Sequence, residues 1–176
     1  MASATNHHLP NFNFRLPLSL TLQQRFEICL EKTESRLEET GQLGLFEPPA
    51  IPDSGASEEE ILALESCLQL SLPEEYRQFL KFRRYLILDD GFQIHGLGEV
   101  EEGIEYPWLI GKKRSPGKCL VFADYWAYGD GDYLMFDLTE PGQPVLACLH
   151  EYGSMFARYA PSFSLALWRM VHELEF

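Results

Sequence analysis

The sequence predicts an α+β domain in which helices pack against a mostly antiparallel β-sheet. Three observations support this class: two short amphipathic helices around residue 70, a run of strands joined by tight turns after residue 118, and an apolar helical stripe near the C-terminal end. Helical periodicity on both sides of a block of strands is typical of α+β proteins. With 176 residues, of which 45% are hydrophobic, the chain can bury one substantial core.

Residues 57–80 carry the two short helices. Ser57 followed by Glu60 is a capping-box pattern, in which each side chain accepts a hydrogen bond from an orphan backbone N–H group. Pro73 suits the first position of the second helix, because its missing N–H group would be unpaired there anyway. The apolar faces of these helices are predicted to consist of Ile61, Leu64, Leu68, Tyr76, Phe79 and Leu80.

The composition of the first 56 residues predicts an arm, a helix and a linker. Residues 1–20 show no clear period and are predicted to be an arm, in which the adjacent His7 and His8 are solvated. Thr21 caps a predicted helix with a narrow apolar stripe, and a proline-rich connection follows it. The predicted organisation is an arm (1–20) and one domain (21–176), the latter composed of a helix (21–40), a linker (41–56) and a core (57–176).

Three consecutive strands with turn signals between them predict the sheet. Residues 119–128 are rich in aromatic and β-branched side chains, and Gly-Asp-Gly at residues 129–131 favours a hairpin turn. The chain returns over residues 132–138, turns at Pro141-Gly142 and forms a third strand over residues 144–150. Two further predicted elements are a short strand (92–100) and a final helix that starts at residues 160–162.

The composition excludes several classes of function. A formal net charge of −13 repels phosphate backbones, so we expect no direct nucleic-acid binding. No stretch reaches the roughly 18 apolar residues that span a bilayer, and the N-terminus lacks a secretory pattern, so we expect no membrane partner and a cytoplasmic location. The four cysteines form no C-x-x-C pair and are predicted to be reduced core residues: Cys29, Cys67, Cys119 and Cys148.

Two polar groupings are candidates for chemistry. Carboxylates around the hairpin could hold Mg²⁺ or Ca²⁺, but their spacing does not fit an EF-hand, and two of them have an ordinary role as turn residues. His150-Glu151 at a strand end could act as an acid–base pair, yet no nucleophile is identifiable, which favours a structural role. We therefore expect no catalysis, no metal and no cofactor; the hairpin carboxylates are Asp124, Asp130, Asp132 and Asp137.

Charge patterning indicates a binding surface instead. Residues 53–76 contain seven acidic side chains and residues 89–106 contain six, and neither segment has a lysine or arginine. Such segments create a local field that attracts a basic partner. Trp108, Trp126 and Tyr128 are candidate aromatic anchors, although the strand position of Trp126 favours a core role. The predicted partner-binding residues are Asp89, Asp90, Glu99, Glu101, Glu102, Glu105, Trp108 and Asp130.

Several motifs in a shared order resemble the SUKH superfamily over residues 56–174. They are the helix LPEEYRQFL (72–80), the hairpin VFADYWAYGDGDYLMFDL (121–138), the strand PVLACLHE (144–151), APSF before the last helix (160–163) and FEPPA before the first acidic-capped helix (46–50). The chain departs from the family where Asp89-Asp90-Gly91 replaces a common Asn-Gly element, which limits the choice of subgroup. The superfamily contains bacterial toxin-immunity proteins and the yeast regulator of cell-wall assembly with the Smi/Knr domain.

The resemblance implies N-terminal helices, a curved, mostly antiparallel sheet and a C-terminal helix. It supplies no catalytic residues, so Asp132 and Asp137 would be fold markers. The function it favours is a cytosolic, non-catalytic immunity protein that covers the active site of a basic toxin domain, of the nuclease or deaminase class. Two alternatives remain open: a scaffold or signalling module of the yeast type that binds another cellular protein, and a small metal-dependent hydrolase that would depend on His150 or the Asp130 cluster.

Overall fold

Four helices and seven strands make up the described part of the chain, which confirms the α+β class. The structure is a computed structural model and describes residues 15–98, 103–110, 118–127, 129–150 and 155–174. The helices are α1 (Leu22–Glu39), α2 (Glu58–Leu68), α3 (Glu74–Phe82) and α4 (Phe163–Glu173). The strands are β1 (Leu86–Asp89), β2 (Phe92–Ile94), β3 (Trp108–Ile110), β4 (Cys119–Tyr125), β5 (Tyr133–Asp137), β6 (Val145–Leu149) and β7 (Met155–Ala160). Within these ranges no helix combines the length and the apolar character that a bilayer crossing requires.

The strands form one antiparallel sheet in the order β1-β2-β4-β5-β6-β7. Strand β3 lies off this path, because it pairs with residues 119–121 of β4 while β2 pairs with residues 123–125. Strands β2 and β3 therefore share one edge of β4. Residues 95–98 leave that edge after β2 and residues 103–107 lead back to it before β3, and the candidate site lies at this gap.

A β-bulge in β4 interrupts the alternation of its side chains between the two faces of the sheet. The register between β4 and β5 shifts between Val121 and Ala123, so Phe122 is the extra residue. Phe122 and Ala123 both join the large core that the helices cover, whereas Val121 belongs to a smaller cluster made of strand residues. We call the side of the sheet that carries this smaller cluster the outer face; its buried members are Ile110, Cys119, Val121, Met135 and Cys148.

Aromatic rings fill the core between the helices and the sheet. The ring centroids of Tyr76 in α3 and Phe163 in α4 lie 5.2 Å apart, and Phe122 and Phe136 of the sheet stack at 4.3 Å. Pairs of this kind contribute about 0.5–1.5 kcal/mol beyond the burial of their area. Phe26 of α1 contacts aromatic rings of α3 and α4 in the same core, so α1 packs against these helices although a proline-rich segment separates it from α2.

Local sequence patterns set the starts of the helices. Thr21 caps α1 as predicted and forms a reciprocal capping box with Gln24, and Ser57 and Glu60 form the capping box predicted for α2. Pro73 is the N-cap of α3 and not its first helical residue, because its ψ of 133° is extended. The predicted helix starts are thus confirmed, with a correction of one residue at α3.

Helix α4 receives its N-terminal cap from another helix. Its own N-cap residue, Ser162, makes no side-chain capping hydrogen bond. Instead, the Glu75 carboxylate of α3 accepts a hydrogen bond from the backbone N–H of Ser164 at 2.8 Å, and Arg25 of α1 donates to the Ser164 hydroxyl at 3.0 Å. A carboxylate at this position also complements the positive end of the helix dipole. The second glutamate of the LPEEY motif therefore ties α3 to α4.

The predicted meander is confirmed with shorter strands, but the two edge strands of the sheet, β1 and β7, were not predicted. The apolar residues of β1 follow α3 directly and read as its continuation, and β7 carries no alternating pattern. The predicted strand over residues 92–100 ends at Ile94, and the apolar cluster after Pro107 is β3. Tertiary pairing decides the state of such short segments, because β propensity depends strongly on context.

The cysteines are free thiols, and three of the four are buried. Burial raises the pKa of Cys29 to about 12, so its thiol stays protonated and inert. Cys67 corrects the prediction that every cysteine belongs to the core, because it is exposed. It lies on α2 one residue before the end of the helix, three residues after the buried Leu64.

Candidate functional site

The gap between β2 and β3 holds a fully buried histidine. The backbone N–H of His95 donates to the carbonyl of Phe122 at 2.7 Å, directly after β2 ends. The carbonyl of His95 accepts a hydrogen bond from the Tyr76 hydroxyl at 2.7 Å, so α3 fixes this residue from the helix side. The N–H of Gly96 donates to the carbonyl of Glu105 at 3.0 Å, which brings the returning chain beside the histidine.

Strand register places further side chains on the outer face. Directly paired residues of neighbouring antiparallel strands point to the same side of a sheet. Val121 of the outer-face cluster pairs with Trp108, and Asp124 pairs with Tyr133, which packs on the same cluster. The rings of Trp108 and Tyr133 meet edge to face with centroids 5.6 Å apart. Trp108, Tyr133 and Asp124 therefore lie on one surface.

Trp126 lies on the surface and not in the core. Strand β4 ends at Tyr125, three residues earlier than predicted, and the N–H of Trp126 donates to the carbonyl of Gly91 at 3.1 Å. The indole covers Gly91 so closely that a Cβ atom there would lie 2.6 Å from the ring. With 40% of its surface exposed, Trp126 contradicts the core role that its predicted strand position favoured.

Exposed carboxylates surround the two tryptophans. Asp90 lies in the β1–β2 turn next to Gly91, which Trp126 covers, and Asp130 lies in the β4–β5 hairpin at the same end of the sheet. Within the described residues, neither of them nor Glu105 forms an ion pair with a lysine or arginine. These carboxylates and tryptophans, together with Asp124, form a surface that we call the acidic-aromatic face: Asp90, Glu105, Trp108, Asp124, Trp126 and Asp130.

A histidine and two carboxylates converge at the centre of this face. The Nε2 atom of His95 lies 3.2 Å from Oδ1 of Asp124 and 3.9 Å from Oε2 of Glu105. The His95 side chain is 1% exposed, that of Asp124 is 27% exposed and that of Glu105 is 61% exposed. The three ligand atoms lie within 4.8 Å of one another. The site is therefore closed at the imidazole and open to solvent at Glu105.

The predicted partner-binding residues fall into three groups. Asp89 is half-buried and pairs with Arg36 of α1, so its charge is already neutralised within the protein. Asp90, Glu105, Trp108 and Asp130 are exposed and belong to the acidic-aromatic face. The remaining three predicted residues lie outside the described part of the chain: Glu99, Glu101 and Glu102.

Most acidic residues of α2 serve the fold and not a partner. Arg84 donates to both carboxylate oxygens of Glu60, and this contact, with the capping hydrogen bond, lowers the pKa of Glu60 to about 2. Arg77 and then Lys81 lower the pKa of Glu58 to about 2 in the same way. Cations of α3 and of the residues after it therefore compensate three of the seven acidic residues in the run 53–76, namely Glu58, Glu60 and Glu65.

Asp132 and Asp137 lie at opposite ends of β5, so the hairpin carboxylates do not converge on one site with His150. Asp132 is buried and accepts a hydrogen bond from the backbone N–H of His150 at one end of β5. Asp137 lies at the other end of β5, roughly 16 Å away at 3.3 Å per residue. There the Thr139 hydroxyl, followed by backbone hydrogen bonds, lowers the pKa of Asp137. Asp132 and Asp137 thus anchor turns, and Glu151 lies outside the described residues.

An apolar groove of about 500 Å³ runs between α2 and residues 106–107. Its walls are mostly carbon, contributed by residues such as Leu64, Leu97 and Pro107. The charged side chains in its lining are Glu60 and Arg84, which bind each other, and the lining also includes the exposed Cys67.

The chain matches the SMI1 / KNR4 family (SUKH-1) over residues 55–167, which is more than half of its length. Comparison with curated proteins gives no match. The matched segment contains the LPEEY helix, whose tyrosine holds the buried histidine, and the sheet that carries the acidic-aromatic face. The chain therefore belongs to the SMI1 / KNR4 family (SUKH-1).

Proposed function

We propose that this protein is a cytosolic, non-catalytic immunity protein that binds a basic toxin domain through its acidic-aromatic face. The observation that carries the proposal is the exposure of Trp108 and Trp126, each 40%, on a face with carboxylates that no lysine or arginine of the described residues neutralises. In the proposed complex, this face covers the active site of a nuclease or deaminase toxin. A cleft that binds a phosphate backbone is itself basic.

Exposed tryptophans suit protein recognition. A tryptophan inserted into a partner's pocket removes a large apolar area from water, and tryptophan is enriched among residues whose truncation costs about 2 kcal/mol or more of binding energy. Carboxylates at the rim act differently, because they speed and orient the approach of a basic partner more than they tighten the complex. The acidic-aromatic face combines both features.

The arrangement of the remaining polar groups supports binding over catalysis. Asp132 accepts a hydrogen bond from the backbone N–H of His150, whereas Asp137 lies at the opposite end of β5, where it binds Thr139. The groove beside α2 contains a paired glutamate and arginine. SUKH proteins are also generally non-catalytic.

A scaffold or signalling module of the yeast type is the second candidate function. The family match favours it as much as it favours an immunity protein, because it names the SMI1 / KNR4 family. Such a module would use the same face for a cellular protein with no toxic activity. The nature of the partner, and not the shape of the face, separates the two functions.

Co-expression with the toxin domain encoded by a neighbouring gene tests the immunity function. Growth is expected to be restored when the full-length protein is present, and the purified chains are expected to form a stable complex. A catalytically inactive toxin should bind equally well, since the proposal requires contact and no turnover. Absence of both protection and binding for every neighbouring toxin would contradict the immunity role. A stable complex with a non-toxic cellular protein would then favour the scaffold.

Charge reversal on the face is expected to slow association. We predict that the double variant Asp90→Lys/Asp130→Lys binds the partner about tenfold more slowly at 10 mM salt, because steering by uncompensated charge is lost. The difference should shrink at 500 mM salt, where the field is screened. Stopped-flow or surface plasmon resonance measures both rates.

The matched control carries the same change in net charge elsewhere. Glu34→Lys/Glu38→Lys reverses two exposed carboxylates of α1, a helix outside the face. We expect this variant to associate within about threefold of the wild-type rate. Equal slowing of both double variants would show that net charge alone, and not the acidic-aromatic face, guides the partner.

A further inference from the structure

We propose that His95, Glu105 and Asp124 form a binding site for a zinc-class divalent metal ion. The inference goes beyond the proposed function and does not depend on it. It rests on a buried histidine without hydrogen-bond partners in the described residues, on two carboxylates that converge with it, and on a distance between the histidine and Asp124 that suits a shared ion.

The imidazole of His95 lacks the hydrogen bonds that a buried histidine requires. Neither Nδ1 nor Nε2 has a hydrogen-bond partner within the described residues, although the residue is 0% exposed. Leaving a buried polar atom unsatisfied costs about 1–3 kcal/mol, so native structures rarely keep one without a function. A metal ion at Nε2 would satisfy the atom that points towards the carboxylates.

The contact between His95 and Asp124 resembles shared coordination more than a hydrogen bond. Their Nε2 and Oδ1 atoms are 3.2 Å apart, yet the direction does not suit an N–H donor. Zinc bonds of 2.0–2.2 Å at tetrahedral angles place neighbouring ligand atoms roughly 3.3–3.5 Å apart. The separation of 3.9 Å between Nε2 and Oε2 of Glu105 needs a shift of less than 1 Å, which an exposed glutamate can make.

The chemical types of the three ligands indicate which metal ion the site favours. Imidazole nitrogen favours zinc and related transition-metal ions, whereas Mg²⁺ and Ca²⁺ prefer an all-oxygen shell. One histidine with two carboxylates therefore indicates a zinc-class ion, with a fourth position that water or a side chain of a partner can occupy. The solvent-exposed side chain of Glu105 marks the open side.

The ion would fasten the chain between β2 and β3 to the edge of β4. Asp124 belongs to β4, whereas Glu105 belongs to the returning segment that leads directly into Trp108. Metal binding would therefore order the acidic-aromatic face beside one of its tryptophans.

The experiment titrates the full chain, freed of metal by a chelator, with zinc chloride in a calorimeter. We expect one zinc ion per chain, a rise in the melting temperature with zinc, and no saturable heat from magnesium or calcium chloride. Glu105→Gln and Asp124→Asn should each weaken zinc binding at least about tenfold, because even residues that support metal ligands change affinity about 10–100-fold. Circular dichroism checks the fold, and the exposed Glu105 keeps the test valid if Asp124→Asn unfolds.

Two control variants make the result specific. Asp90→Asn removes an exposed carboxylate of the same face and should leave zinc affinity within twofold. His7→Ala/His8→Ala removes the adjacent histidines of the N-terminal segment and should do the same. Absence of saturable zinc binding, unchanged affinity in Glu105→Gln, or loss of binding in the His7/His8 variant would overturn the proposal.

Discussion

Replacing Glu173 with alanine is expected to lower the free energy of unfolding by about 3 kcal/mol, which is typical when one partner leaves a buried ionic network. The Glu173 carboxylate accepts hydrogen bonds from the Tyr125 and Tyr159 hydroxyls at 2.6 and 2.7 Å and pairs with Arg169 at 2.6 Å. Its side chain is only 7% exposed. The substitution removes the acceptor that these three donors share at the end of α4. Urea denaturation followed by circular dichroism at pH 7 measures the effect.

Two comparison variants separate the network from general effects. Glu34→Ala removes an exposed glutamate of α1 and should change stability by less than about 0.5 kcal/mol. Glu173→Gln keeps an acceptor oxygen for a tyrosine but loses the charge, so an intermediate loss is expected. Burial, followed by the Glu173 carboxylate, raises the pKa of Tyr125, so this donor stays neutral and its contribution persists until the pH rises past about 10. A loss below 1 kcal/mol for Glu173→Ala would contradict this account.

Replacing Gly96 with alanine is expected to cost about 3 kcal/mol or more, because the added carbon overlaps backbone that cannot move freely. A Cβ atom at Gly96 would lie 1.8 Å from the carbonyl oxygen of Arg84. That oxygen accepts a hydrogen bond from the N–H of Leu97 at 2.9 Å, and the Arg84 guanidinium donates to the Leu97 carbonyl at 2.8 Å. Relief of the overlap would break this double connection next to His95. Urea denaturation again gives the magnitude.

A second glycine distinguishes steric overlap from backbone strain. Gly142 has a φ of +82° and no atom within 4 Å of a Cβ position. Alanine there should cost only about 1–2 kcal/mol, the price of a left-handed conformation for a residue with a side chain. If Gly96→Ala proves no more destabilising than Gly142→Ala, the close approach of the two chain segments is not a constraint.

Patterns that act within a few residues predicted the local structure well. Thr21 and Ser57 mark the starts of α1 and α2 because a capping box is complete within four residues. The hairpin after β4 was predicted for the same reason, since Gly131 adopts the left-handed backbone that such turns need. These signals need no knowledge of the rest of the chain.

Features that depend on distant segments were missed. His95 was not predicted as a site residue. Glu105 and Asp124 lie 10 and 29 residues away in the sequence, and the strand pairing at the edge of β4 brings them together with it. No spacing rule for metal ligands covers such a set. If the gap between β2 and β3 had been predicted, the histidine beside it would have indicated a candidate metal ligand.

Counting the charges within one segment does not show which of them are paired with residues elsewhere in the protein. The acidic run of residues 53–76 suggested a field for a partner, yet Arg77, Lys81 and Arg84 follow it at once and bind its carboxylates. Two carboxylates of the proposed binding face that stay uncompensated in the described chain, Asp90 and Asp130, lie in turns. The acidic side chains of a helix can pair with basic side chains of the helix packed against it, whereas a turn projects its side chains into solvent.

The central claim is that the chain works by binding through the acidic-aromatic face, and the affinity of the double variant Trp108→Ala/Trp126→Ala for the partner tests it most directly. Isothermal titration should show a loss of about 100-fold or more, since each interface tryptophan contributes about 2 kcal/mol. Leu45→Ala/Leu62→Ala, which removes two exposed leucines elsewhere, should bind as the wild type does. A folded tryptophan double variant that keeps wild-type affinity would contradict the claim.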